Sequence, residues 1–112
     1  MAYVDGFVLA VPTADKEKYR RFAQDVAVVF KRNGALQVVE CWGDDVPEGK
    51  LTSFSLAVQR KADETVVFAW VTWPDKAVRD EAFRKMPAME NDLMPFDGKR
   101  MIYGGFEVIV EA

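Results

Sequence analysis

The chain has 112 residues, 50% hydrophobic and 29% charged, with a formal net charge of -3, the make-up of one globular domain with a single core and a large surface for its volume. The acidic balance argues against a general nucleic-acid binder, which needs a basic face to displace counterions from phosphates, and no uninterrupted apolar run is long enough to span a membrane. One cysteine, Cys41, and no histidine exclude an intrachain disulfide, a multi-thiolate metal site, a His-based nucleophile system and a His-ligated haem.

No cofactor and no metal is therefore expected, and proton transfer falls to Asp, Glu, Tyr, Lys, Cys or water. The N-terminus, Met1-Ala2-Tyr3-Val4-Asp5, moves directly into a strand pattern with no basic leader, which sets a cytoplasmic expectation.

Tyr3 to Val11 reads as a strand apolar on both faces except for Asp5. Pro12 ends it, and Thr13 or Asp15 suits the cap of a helix in which Tyr19, Phe22, Ala23, Val26, Val29 and Phe30 recur at spacings of three and four. Asn33-Gly34 is its left-handed stop. Ala35 to Trp42 is a second strand, with Leu36, Val38, Glu40 and Trp42 on one face and Gln37, Val39 and Cys41 on the other. Thr52 to Gln59 alternates Phe54, Leu56 and Val58 against smaller or polar residues, which predicts a third strand. Arg60 to Glu64 is then a polar hairpin turn leading into Thr65 to Trp73, an aromatic-rich strand inside the sheet.

Asp75 caps a second helix with Val78, Ala82 and Met86 along one side, closed by Pro87. Met89 to Lys99 reads as an irregular, lid-like segment, and Met101 to Val110 as the last strand. The order β-α-β-β-β-α-β predicts one α+β domain over residues 1–112, ferredoxin-like with one additional hairpin strand and two helices on one face. Three strands nonetheless carry large apolar residues on both faces. A twofold-related copy covering the open face is the simplest remedy, so a homodimer is predicted whose sheets face each other as an α+β barrel.

In order, Y-V-D-G-F-V, V-E-C-W-G-D-D-V-P-E-G-K, V-V-F-A-W-V-T-W-P and M-P-F-D-G-K-R-M-I-Y-G-G-F-E resemble the YbaA-like family of unknown function, DUF1428, over nearly the whole chain. That family is similar to a branch of the dimeric α+β barrels, which include cofactor-free oxygenases of aromatic polyketides, haem-degrading oxygenases and small isomerases. The resemblance implies a dimer but no particular reaction, and the missing histidine argues against haem chemistry. A name linking some family members to signal recognition particle RNA finds no support in the acidic balance.

Asp5, in a strand interior between Tyr3 and Phe7, needs a partner, with Arg100 or Lys99 the natural ones; a structural bridge and a functional acid both fit. Glu40 poses the same question beside Trp42. Arg100 could clamp a ligand carboxylate or enolate or simply pair with Asp97 or Asp5, and Tyr103 could donate to a substrate oxygen or to a backbone carbonyl. Cys41 reads as a small buried hydrophobe. Two functions follow. In the first, a small aromatic or enolisable ligand meets Asp5 or Glu40 as base, Arg100 and Tyr103 as oxyanion partners, and Trp42, Trp70, Phe96 and Lys99 as its wall. In the second, the chain is a noncatalytic homodimeric scaffold whose polar groups are bridges and whose surface, around Asp44, meets another protein.

Overall fold

The computed structural model describes residues 2–87 and 94–112. Its elements run β1 (Tyr3–Pro12), a 3-10 turn at Thr13–Asp15, α1 (Lys16–Arg32), β2 (Gln37–Trp42), α2 (Phe54–Ala57), β3 (Glu64–Trp73), α3 (Lys76–Lys85), a 3-10 turn at Gly98–Arg100 and β4 (Ile102–Glu107). The strands form one antiparallel sheet in the order β2-β3-β1-β4. The lid-like segment expected from Met89 lies outside the described residues as far as residue 93.

Both long helices pack on one face of the sheet. Leu9, Val11 and Val67 meet Tyr19 and Ala23 of α1, while Val71 and Trp73 meet Ala82 of α3 with Phe30, Val78 and Met86 around them. The spacing of three and four along each helix sets these stripes facing the strands. At the end of α1, Gly34 takes φ +106, and a Cβ there would lie 2.7 Å from Val78 Cγ1, so the turn needs glycine both for its backbone and for its space. Asp75 caps α3 as expected, its Oδ1 accepting from the Val78 N–H at 2.9 Å. Thr13 and Asp15 do not cap α1; the Thr13 hydroxyl instead meets that of Thr65 at 2.7 Å.

Two strand expectations are corrected. Thr52–Gln59 is not a strand: Ser53 accepts from the Leu56 N–H at 2.9 Å and starts the short helix α2, and Gln59 turns the chain away at φ 52. Ser55 and Val58 are its buried residues, whereas Phe54 and Leu56 are 48% and 49% exposed. The alternation of large and small residues imitated a strand, but the cap and the spacing of three between Ser55 and Val58 made a helical turn. Among the described residues the sheet therefore has four strands, without the additional hairpin strand expected there. The last strand also stops at Glu107 rather than Val110, because its partner is exhausted: Glu107 pairs with Tyr3, the first residue of β1.

Val58 packs on Ala10 and Val66, and Phe54 meets Phe68 edge-on at 5.8 Å, so α2 covers part of the sheet face opposite the long helices. On the rest of that face, Phe68, Ile102 and Phe106 remain 40%, 46% and 62% exposed. Near the start of β1, Gly105 faces Tyr3 and Arg79; a Cβ on it would collide with the Tyr3 hydroxyl and stand 2.9 Å from Arg79 Nη2. Gly105→Ala is expected to cost about 1–3 kcal/mol through this overpacking, measurable as a lowered urea midpoint; an unchanged midpoint would refute the collision.

Candidate functional site

Asp5 is 2% exposed and fully engaged. Its Oδ2 accepts from Trp73 Nε1 at 2.9 Å, and its Oδ1 from Arg79 Nη2 at 2.9 Å. Arg79 Nε reaches both oxygens at 3.1–3.2 Å. Arg79 also stands over the rings of Tyr3 and Phe83, at 5.4 and 4.6 Å. The expected partners Arg100 and Lys99 are corrected to Arg79, which α3 carries onto the same face as Asp5 and holds there by a forked, charge-assisted bond.

Arg100 is engaged elsewhere. It grips Glu64 at 2.8 and 2.6 Å and Asp97 at 3.0 Å, and gives a further hydrogen bond to the Gln59 carbonyl at 2.9 Å. This fastens the turn before β4 to the start of β3. Lys99 is exposed, its backbone N–H given to Asp97. Tyr103 is 71% exposed and stacks on Phe7 with ring centres 6.4 Å apart. Trp70 lies on the opposite sheet face against Phe68. Asp5, Arg100 and Tyr103 are thus not brought together with Glu40.

What the fold does bring together is Glu40 and Tyr19. β2 turns Glu40 toward α1, and the Tyr19 hydroxyl donates to its Oε1 at 2.6 Å, a short bond of the charge-assisted kind. This pair lies between two cavities. The inner one, of about 200 Å³, lies between sheet and helices and is otherwise apolar, walled by residues that include Phe7, Leu9, Phe22, Phe30, Val71 and Phe96. The outer one, of about 440 Å³, runs between α1 and β2, with Lys16, Arg20 and Trp42 at its rim. Lys16 Nζ stands 5.6 Å from the centre of the Trp42 ring. Met86, Met94 and Met101 line the inner cavity, as a pliable methionine wall would.

Glu40 opens to solvent on the groove side yet is surrounded by protein on the other. Burial raises its pKa above the ordinary glutamate value, and the Tyr19 hydrogen bond draws it partly back. Burial first, then the charge and hydrogen bond of Glu40, push Tyr19 well above the usual tyrosine range, so its proton stays in place. The carboxyl is consequently a better base than a solvated glutamate, with one oxygen held by Tyr19. Tyr19→Phe removes the bond that lowers the Glu40 pKa, and a carbon-13 carboxyl titration is expected to place Glu40 higher than in the parent protein. A lower value would mean that Tyr19 does not stabilise the carboxylate.

Tyr19 was legible only as one residue of the helical stripe. It is the polar member of a stripe otherwise made of Phe22, Ala23, Val26, Val29 and Phe30, and Glu40 is the acid on the strand face turned to helices. That pairing of signals was available in the sequence, but the register that joins them was not.

Comparison with known proteins adds a family but no reaction. Residues 2–98 match the family model described as "Protein of unknown function (DUF1428)". The chain is also 54% identical, over 99% of both chains, to the protein called "Uncharacterized protein YbaA" in Escherichia coli strain K12, and equally to its counterparts in Escherichia coli O157:H7 and Shigella flexneri.

Proposed function

Because the chain belongs to the DUF1428 family of proteins of unknown function, we propose its role from its own chemistry: a cytoplasmic homodimer that binds a small, largely apolar molecule in the inner cavity, with Glu40 as the proton-transfer group and Tyr19 as the residue that orients it. The observation that carries this reading is an apolar cavity of about 200 Å³ whose polar wall is Tyr19 and Glu40. Few convergent polar groups in an apolar pocket are the usual form of a small-molecule site. Glu40 suits removal of a proton from a phenol, or from carbon beside a carbonyl, which is the entry step of cofactor-free oxygenation or isomerisation of an aromatic or enolisable compound.

In this reading Phe96 is a wall residue of the inner cavity and Trp42 one of the outer groove. Asp5 and Arg100 take structural roles in this reading. The strand order β2-β3-β1-β4 with both long helices on one face supports the ferredoxin-like arrangement. The exposed Phe68, Ile102 and Phe106 on the other face support dimerisation through it, since a contiguous apolar patch of this kind favours a partner.

Native mass spectrometry of freshly purified, untagged protein, followed by the same sample denatured, tests both halves. The expected spectrum is a dimer with a small adduct that leaves on denaturation and is depleted in Glu40→Gln. A bare dimer in every preparation would shift the reading to a noncatalytic scaffold, and a monomer would overturn the dimer.

A further inference from the structure

The two spaces that share Tyr19 and Glu40 differ in size and in charge. The inner cavity, at about 200 Å³, falls below the range of roughly 300–1,000 Å³ usual for small-molecule sites, whereas the outer groove, at about 440 Å³, lies within it. Tyr19 and Glu40 line both. A molecule that meets Glu40 and is larger than the inner cavity therefore has its remainder in the groove.

The groove is apolar on its floor and cationic on its rim. Ala23 and Ala27 give α1 a low wall there, facing Val38, Val67 and the half-buried ring of Trp42. Lys16, Arg20 and Gln24 follow at every fourth residue of α1, a spacing that stacks them along one side of the helix. Lys16 has no carboxylate partner among the described residues, and its Nζ stands 5.6 Å from the centre of the Trp42 ring. Arg20 meets Glu17 at 3.4 Å with both side chains more than half exposed, an ion pair weak enough to be exchanged for a ligand.

Charge decides which kind of molecule fits. Two cations and one carboxylate, Glu40, line the groove, a local surplus of one positive charge in a chain whose net charge is -3. A carboxylate, as a monoanion, balances that surplus. A phosphate group carries about −1.5 to −2 near neutral pH and would overshoot it beside Glu40. A guanidinium matches a carboxylate in shape, and the face of Trp42 suits a flat ring.

We propose that the outer groove is a subsite for an aromatic carboxylate, its acid group held by Lys16 and Arg20 and its ring against Trp42, and that the molecule handled by Glu40 belongs to this class. The second half rests on the small-molecule reading above; the first rests on the groove alone. Lys16 and Arg20 thereby set specificity, while Glu40 and Tyr19 keep the roles given to them.

Naphthoate and its neutral counterpart naphthamide are the probes, titrated into full-length nitrogen-15-labelled protein and followed by amide and indole chemical shifts. The parent protein is expected to bind naphthoate about tenfold tighter than naphthamide, the amount two partly screened charge contacts together supply, with shifts centred on the Trp42 indole and the Ala27 amide. Lys16→Gln combined with Arg20→Gln is expected to remove that preference and leave naphthamide binding unchanged. Both residues are exposed, so the double variant should fold, which the rest of its amide spectrum verifies. Lys18→Gln removes a cation of the same helix that does not line the groove, and should keep the preference. Equal affinities for the two probes, or a preference that survives the double variant, would overturn the anion subsite, as would naphthoate that binds nowhere up to its solubility limit. The inner-cavity reading stands or falls separately, on the adduct depleted in Glu40→Gln. Were that adduct a molecule without an acid group, Glu40 would keep its role and the proposed substrate class would be overturned.

Discussion

Asp5→Ala is expected to lower the free energy of unfolding by about 3–5 kcal/mol, the usual cost of removing one partner of a buried ion pair. Asp5 is 2% exposed and holds Arg79 and the indole N–H of Trp73 at once, so its loss strands a guanidinium and an indole donor near the core. A domain of this size has about 5–15 kcal/mol in all. Urea denaturation of Asp5→Ala, Arg79→Met and the double variant measures the coupling. The double variant is expected to be more stable than the sum of the two single losses predicts, because it removes both charges and leaves neither unpaired. If Asp5→Ala stayed within about 0.5 kcal/mol of the parent, the size expected of a surface substitution, the bridge would not hold β1 to α3.

Arg100→Met should cost a similar amount, about 3–5 kcal/mol, and should also change how stability depends on pH. Arg100 holds the Glu64 pKa below the ordinary value of 4.5. A carboxylate with a depressed folded pKa contributes stability that is present above that ordinary value and is lost as pH falls through the folded one. The parent protein is therefore expected to weaken on the acid side of pH 4.5. In Arg100→Met the same carboxylate, 7% exposed in the parent, loses its cation, so burial is expected to raise its pKa and protonation to favour the fold. The gap between parent and variant should accordingly narrow as pH falls from neutral into that range. A gap of constant size across the titration would show that Glu64 does not depend on Arg100.

These two bridges also show where residue-level reasoning reached and where it stopped. Asp5 was identifiable as an acid needing a partner because a carboxylate inside an apolar strand has no cheap alternative. Its partner was not identifiable. Arg100 is the arginine next to the last strand, and the last strand does lie beside β1, yet α3 delivers Arg79 to Asp5 across the helix-bearing face. Arg100 faces the other way, to Glu64. Tyr19 was likewise visible as a core residue but not as the donor to Glu40.

Local chemistry in the sequence by itself determined the α+β class, the placing of β1, α1, β2, β3 and α3, the Asp75 cap and the glycine turn after α1, because caps, turns and periodicity depend on near neighbours. It also determined the exclusions, since no fold can supply a histidine or a second cysteine that the chain lacks. Tertiary structure alone decided that Thr52–Gln59 is a helical turn laid over the sheet, that β4 ends where β1 runs out, and that Glu40 rather than Asp5 faces a cavity. Those outcomes depend on which distant residues are brought into register, and a side chain's partner across the sheet or under a helix is set by the packing of whole elements, not by its neighbours in the chain.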